Sequence, residues 1–303
     1  MALEKSGCNH RLMTAPKTVE ATSPTSAFDW VAARGEKWRD QLDGMEATLA
    51  PIDEPLIEAL VLERSYRIAD LGCGGGGTTL EVLRRAPLGS IVHGFDVSPA
   101  LIESARARTP ADERALAFAQ VDVSSAAAVP DQPYDRLISR FGIMFYDDPT
   151  VAFANLSRWL APGGRFAFAV WGRPADNAWT SLVRDAAAEV IDLPMPDPDA
   201  PGPFRYAETS KLLALLERAG FAGLDVRDWR GNLPIGGGLP AAEAAEFALR
   251  SSSTGELVCE AGEKTFDRVR DSLATRFAQH RENGAVRLSA SVQIVTGVRA
   301  GFG

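Results

Sequence analysis

The residues best suited to chemistry lie in one stretch, DLGCGGGG at 70–77. A short apolar run feeds into it and a helical pattern follows. Gly72, Cys73, Gly74 and Gly76 would therefore let backbone approach a ligand at a helix N-terminus, where N–H groups and the helix dipole face outward. By spacing alone, Gly72, Gly74 and Gly77 satisfy the dinucleotide pattern G-x-G-x-x-G, and Asp96 lies 19 residues further on, where a ribose-binding acid is expected. A tight structural turn would use the same glycines. Asp70 separates the ligand readings. A carboxylate two residues before the first glycine gains nothing from a pyrophosphate, but it complements an ammonium group, directly or through water. S-adenosylmethionine carries such a group and NAD does not. As a cap on the turn amides, Asp70 would suit either.

Two further acids extend the pattern. Asp96, with Val97 in GFDVS at 94–98, ends a second apolar run, where its two oxygens can accept both hydroxyls of a ribose. Asp122, with Val123 in QVDVS at 120–124, ends a third, where an acid can accept from an adenine amino group. Any one of them could merely solvate a loop. Three at the C-terminal ends of successive strands converge on the crevice where open α/β sheets bind ligands.

The elements that must position these residues alternate. Strands are expected at 67–71, 90–95, 117–121, 134–139 and 165–171, with helices at 78–85, 99–108 and 149–160 between them. This βαβ pattern predicts a parallel sheet covered on both faces. Before it, 28–60 reads as helical, with Pro51 and Pro55 dividing off a second helix at 56–62. After it come helices at 179–191, 210–219, 241–249 and 265–279, a strand at 224–229 and a closing strand at 286–298. The organisation expected is a disordered tail (1–26), an N-terminal helical lid (27–62) and a cofactor-binding core (63–235) with a cap insertion at about 174–209. A helical insertion (236–285) and the final strand of the core (286–303) follow.

Composition narrows the partners. With 32 basic and 40 acidic residues the net charge is −8, which lacks the footprint of a nucleic-acid binder. Three cysteines and three histidines show no ligand spacing, so neither a metal nor a disulfide framework is expected. No apolar stretch reaches the roughly 18–20 residues of a membrane span. A cytoplasmic enzyme, monomer or homodimer, is the expectation.

The segments DLGCGGG (70–76), GFDVS (94–98), SRFGIMF (139–145) and LAPGGRF (160–166) together make the sequence resemble the class I S-adenosylmethionine-dependent methyltransferase superfamily, in its UbiE-like small-molecule branch. The resemblance covers about 28–235, more loosely to 299. It implies a Rossmann-like seven-stranded α/β sheet whose last strand is antiparallel. It also implies that Asp70 and the turn contact the methionine part, Asp96 the ribose, and Asp122 with Val123 the adenine. Ser139 would lie beside the methionine, and Trp38 would cover the cofactor from the lid. Gly75 departs from related loops, which often have Thr; backbone contacts should survive this.

Methyl transfer from a sulfonium is an in-line displacement with a neutral leaving group, so alignment and desolvation do most of the work. No triad is found and no catalytic residue is assigned. The methyl acceptor, a small molecule, should meet residues outside the core sheet: Trp30, Arg140, Phe141, Tyr146, Trp171 and Trp179. Their aromatic character favours a hydrophobic or aromatic acceptor, though helix-to-sheet packing would also explain it. Arg140 could bind an acidic acceptor or make a loop salt bridge. Tyr146, Asp147, Asp176 and His280 are the candidate bases, while His93 reads as packing. The rivals are a nicotinamide-dependent oxidoreductase and a non-catalytic partner protein with the same fold.

Overall fold

The apolar strand runs bury on both faces. Ile68, Ala69, Asp70 and Leu71 of β1 (Arg67–Leu71) are all inaccessible to solvent, as parallel strands are when helices cover both sides. The computed structural model describes residues 34–111, 113–126 and 133–301. The expected tail at 1–26 and Trp30 lie outside them. Beside β1 run β2 (Ile91–Asp96), β3 (Leu116–Gln120), β4 (Tyr134–Arg140) and β5 (Leu160–Trp171), then β6 (Phe221–Pro234), β7 (Arg281–Glu282) and β8 (Ala285–Arg299). The sheet order is β3-β2-β1-β4-β5-β8-β6. Strands β1 to β5 are parallel, and β8 is antiparallel to both β5 and β6. The two-residue β7 pairs only with the start of β8 and makes the eighth strand.

The helices are α1 (Gly35–Asp40), α2 (Leu42–Leu49), α3 (Asp53–Glu58), α4 (Gly77–Arg85), α5 (Pro99–Ala107), α6 (Pro149–Trp159), α7 (Ala178–Ala188), α8 (Thr209–Arg218), α9 (Ala241–Ser251), α10 (Ser253–Glu260) and α11 (Glu263–Phe277). Caps set several starts. Ser98 Oγ accepts the Leu101 N–H at 3.4 Å ahead of Pro99, and Asp148 accepts from Thr150 and Val151 ahead of Pro149. A core of stacked and edge-on rings (Phe95, Tyr134, Trp159) fills the space beside β2 and β4. His93 belongs to it, its Nδ1 2.8 Å from the Tyr134 hydroxyl.

Some expectations fail for local reasons. Among the described residues the lid is three short helices rather than two longer ones. Pro55 falls in the first turn of α3, where its missing N–H costs nothing, so that helix starts at Asp53 instead of after the proline. The helix α10 was not foreseen because its STGELVCE sequence holds weak helix formers; Ser252 caps it by accepting from Gly255 N–H at 3.1 Å. Strand β6 runs five residues past its expected end at 229, because β8 pairs alongside it from Phe221↔Arg299 to Pro234↔Arg287. Since β5 stops at Trp171↔Val292, the far ends of β6 and β8 project beyond the parallel strands. Helices α9, α10 and α11 pack with α7 at this end, and α2 packs on the turn Ile235–Gly237.

Candidate cofactor and acceptor site

The strand order reverses between β1 and β4, so a crevice opens where their C-terminal ends part. The backbone is close there. Gly72 has φ +69°, and a Cβ on it would sit 3.0 Å from Gly142 Cα. Ser139 donates from its hydroxyl to the Leu71 carbonyl at 2.7 Å and is fully buried, so it fastens β4 to β1. The N–H groups of Gly72 and Cys73 both donate to Phe95 O, at 2.8 and 3.0 Å. The Cys73 thiol is buried, and burial pushes its pKa well up.

All three aspartates sit at strand ends around this turn. Asp96 accepts the N–H of Gly74 on one oxygen and of Ser98 on the other, both at 2.9 Å. It therefore braces the turn, and each oxygen keeps a second lone pair for a ligand hydroxyl. Asp122 accepts from Ser124 N–H and Oγ and from Ser125 Oγ, at 2.9, 2.6 and 2.8 Å. Its oxygens thus hold the loop after β3, the loop-solvating role. The following Val123 is buried, and its carbonyl accepts from Asn155. Asp70 accepts from the Thr79 hydroxyl on α4 at 2.7 Å. Burial pushes its carboxyl up to about 7, against the Thr79 hydrogen bond and the nearby Arg140 charge. Near neutral pH this acid is poised to surrender its proton to solvent if a cation approaches.

The helices expected as a lid pack on the turn and the start of α4 through residues that sequence reasoning missed. Glu46 accepts the Gly77 N–H at the start of α4 (3.1 Å) and pairs with Arg108. Leu42 lies on Gly75, so close that a Cβ there would be 2.4 Å from Leu42 Cδ2. Asp53 accepts from Thr78 at 2.8 Å and pairs with Arg140 at 2.9 Å, both side chains only 11% exposed. Arg140 thus makes the salt bridge, within the fold, rather than standing ready for an acidic acceptor. A Thr-Thr pair directly after the glycines was the one available signal for this network. Trp38 is half-buried on α1, which packs on α5.

On the other side, the acceptor candidates form two aromatic rows. Phe141, in a left-handed conformation (φ +67°) rare for a bulky residue, stacks on Trp171 with ring centres 4.1 Å apart. Trp171 meets Trp179 at 4.8 Å, and Trp179 stacks on Phe204 at 5.8 Å. Tyr146 and Tyr206 flank Phe153 at 6.0 and 6.3 Å. The proline-rich connector at 193–203 leads Phe204 and Tyr206 here: Gly202 N–H donates to Met144 O at 3.1 Å, and Arg205 donates to the Tyr146 carbonyl. Neither Phe204 nor Tyr206 was foreseen.

The candidate bases do not gather. Burial raises the Tyr146 pKa far above that of an ordinary phenol, so it holds its proton. Asp176 pairs with Arg230 at 3.3 Å. His280 lines a separate groove of about 450 Å³ with Leu182, Ser272, Thr275, Arg276 and Gln279. A groove of about 510 Å³ is lined by residues 39–44 together with Arg108, Gly236 and Phe247, and includes none of the three aspartates. Among the described residues no cluster of His, Cys, Asp and Glu is arranged to hold a metal, and no helix is long and apolar enough to cross a membrane.

Residues 69–168, which hold the glycine turn, all three aspartates and β4, match the family described as "Methyltransferase domain". The chain carries a class I S-adenosylmethionine-dependent methyltransferase domain. It is 34% identical over 139 residues to a trans-aconitate 2-methyltransferase of Methylobacterium nodulans, covering 46% of this chain and 48% of that protein. A demethylmenaquinone methyltransferase of Thermus thermophilus is 33% identical over 126 residues, 41% of this chain and 56% of the relative. The chain thus spans about half the length of the curated relatives it matches. The fold is shared with the YcgJ protein of Bacillus subtilis, at a TM-score of 0.54 and 17% identity, over 84% of this chain and 100% of that one.

Proposed function

We propose that the whole chain is an S-adenosylmethionine-dependent methyltransferase acting on a small hydrophobic or aromatic metabolite. The observation that carries the reading is the arrangement of Asp70, Asp96 and Asp122 at the ends of β1, β2 and β3 around one glycine turn. Asp70 would take the ammonium group, Asp96 the ribose hydroxyls, and the Asp122–Val123 segment the adenine. Gly72, Cys73, Gly74 and Gly76 would pass the methionine part by their backbone, with Ser139 holding the floor and Trp38 in the lid. When bound, the cofactor supplies an electrophilic methyl group. The chain's own residues orient both partners and exclude water.

The wall on the other side, Phe141, Trp171 and Trp179 with Tyr146 beside them, supports an apolar acceptor. The two relatives bear the names of different acceptors, a tricarboxylate and a quinone precursor, so the resemblance alone names none. The reading takes the protein as cytoplasmic, a monomer or homodimer, and free of nucleic acid, in keeping with its net charge of −8. Incubating the chain with methyl-labelled cofactor and a metabolite extract, followed by mass spectrometry, tests it. The expected result is label in one or a few small molecules. Label in none, with cofactor bound, would overturn it.

A further inference from the structure

Two buried acids meet at the first turn of α4. Thr78 donates its hydroxyl to Asp53 of α3 at 2.8 Å, and the next residue, Thr79, donates to Asp70 of β1 at 2.7 Å. Arg140 joins the group by donating to Asp53 at 2.9 Å. The sheet fixes where Arg140 starts from. Asp70 is in register with Ile138 across β1 and β4, and residues two apart on a strand share a face. Arg140 therefore stands on the face of Asp70, one diagonal step along the neighbouring strand, a step that a long side chain spans. Its side chain and that of Asp53 are 11% exposed and Asp70 is 1% exposed, so solvent screens little between them.

Charge is tightly shared here. Around Asp70 stand Arg140 from β4, Asp53 from α3 and Asp96 from β2, while the Cys73 thiol of the turn keeps its proton. Around Asp53 stand Arg140, Glu46 from α2 and Glu81 from α4. Arg140 is the cation common to both acids. Released from Asp53, it would turn to Asp70, the other carboxylate on its side of the sheet, and occupy the acid that an ammonium group needs. We propose that Asp53 is a positioning residue for the cofactor: it withholds Arg140 from Asp70 and so keeps Asp70 for the ammonium group. When α3 lets go of Arg140, the guanidinium takes that place, which ties cofactor affinity to the seating of α3. The inference rests on the S-adenosylmethionine reading for naming the ammonium group; the competition of two acids for Arg140 does not.

The test titrates the full chain by calorimetry with S-adenosylmethionine and with methylthioadenosine, which lacks the amino-acid part. Asp53→Asn keeps the shape and the acceptor for Thr78 but gives up the charge. It is expected to bind S-adenosylmethionine about tenfold more weakly, the scale of one hydrogen bond to a charged group, and methylthioadenosine as the parent does. Adding Arg140→Met should restore most of that loss, while adding Arg140→Lys, which keeps a cation, should not. In the ligand-free chain the Asp70 carboxyl, followed by carbon-13 NMR and assigned with Asp70→Asn, should titrate about one unit lower in Asp53→Asn and higher in Arg140→Met. Equal weakening of both ligands in Asp53→Asn, no recovery in Asp53→Asn/Arg140→Met, or an Asp70 midpoint unmoved by Arg140→Met would overturn the proposal. A parent chain that binds neither ligand would instead contradict the cofactor reading, and the ligand-free titration would still score the competition for Arg140.

Discussion

Asp70 is the residue on which the cofactor reading turns, and its protonation makes it measurable. In the folded chain its carboxyl stands at about 7, against 3.8 for an ordinary aspartate. A folded value above the unfolded one means the folded chain binds more protons between those limits. Stability should therefore fall as pH rises from about 4 to about 7. Burial shifts Asp53 and Asp96 in the same direction. Urea melts at pH 5 and pH 8 should show the higher stability at pH 5, and Asp70→Asn should flatten the difference. An ammonium-bearing ligand needs the carboxylate, so its affinity should drop by about tenfold per unit as pH falls well below 7. Calorimetry in buffers of different ionisation enthalpy should register one proton released per cofactor near pH 6, and none for Asp70→Asn. Asp96→Ala should weaken cofactor binding by roughly 1.5–3 kcal/mol, the scale of hydrogen bonds to a charged group; an unchanged affinity would remove Asp96 from the ribose site.

At the scale of elements, the lid and the glycine turn are fitted to each other. Leu42 occupies the space that a side chain at Gly75 would need. Gly75→Thr should therefore force α2 away and destabilise the chain by about 1–3 kcal/mol, the usual cost of overpacking. Leu42→Ala in the same chain should recover part of the loss in denaturant melts. The strand-turn-helix core was legible because its signals are local: apolar runs of strand length, glycines at the turn, and Ser98-Pro99 and Asp148-Pro149 at helix starts. The contacts that complete the site were not. Asp53 reaches Arg140 across 87 positions and Glu46 reaches Arg108 across 62, distances at which no periodicity carries information. Tyr206 hid just after the proline-rich connector at 193–203, where nothing in the pattern says which way a segment folds back.

Across the whole molecule, the parallel strands carry the glycine turn and the three aspartates, α2 packs on that turn through Leu42, and α9 to α11 pack with α7 at the projecting ends of β6 and β8. Arg34 and Lys37, at the start of the expected lid, pair with Glu256 of α10, at 3.2 and 2.9 Å, joining segments more than 200 residues apart. These charges are about one-third exposed, so Glu256→Ala should change stability by less than about 1 kcal/mol in denaturant titration. The glycine turn permitted two cofactors by spacing alone, and the account as a whole stands on which of them this architecture takes. Equilibrium calorimetry of the full chain with S-adenosylmethionine, S-adenosylhomocysteine and NADH decides between them. Micromolar binding of the first two and none of NADH is the predicted result; binding of NADH with no affinity for either adenosyl compound would contradict it.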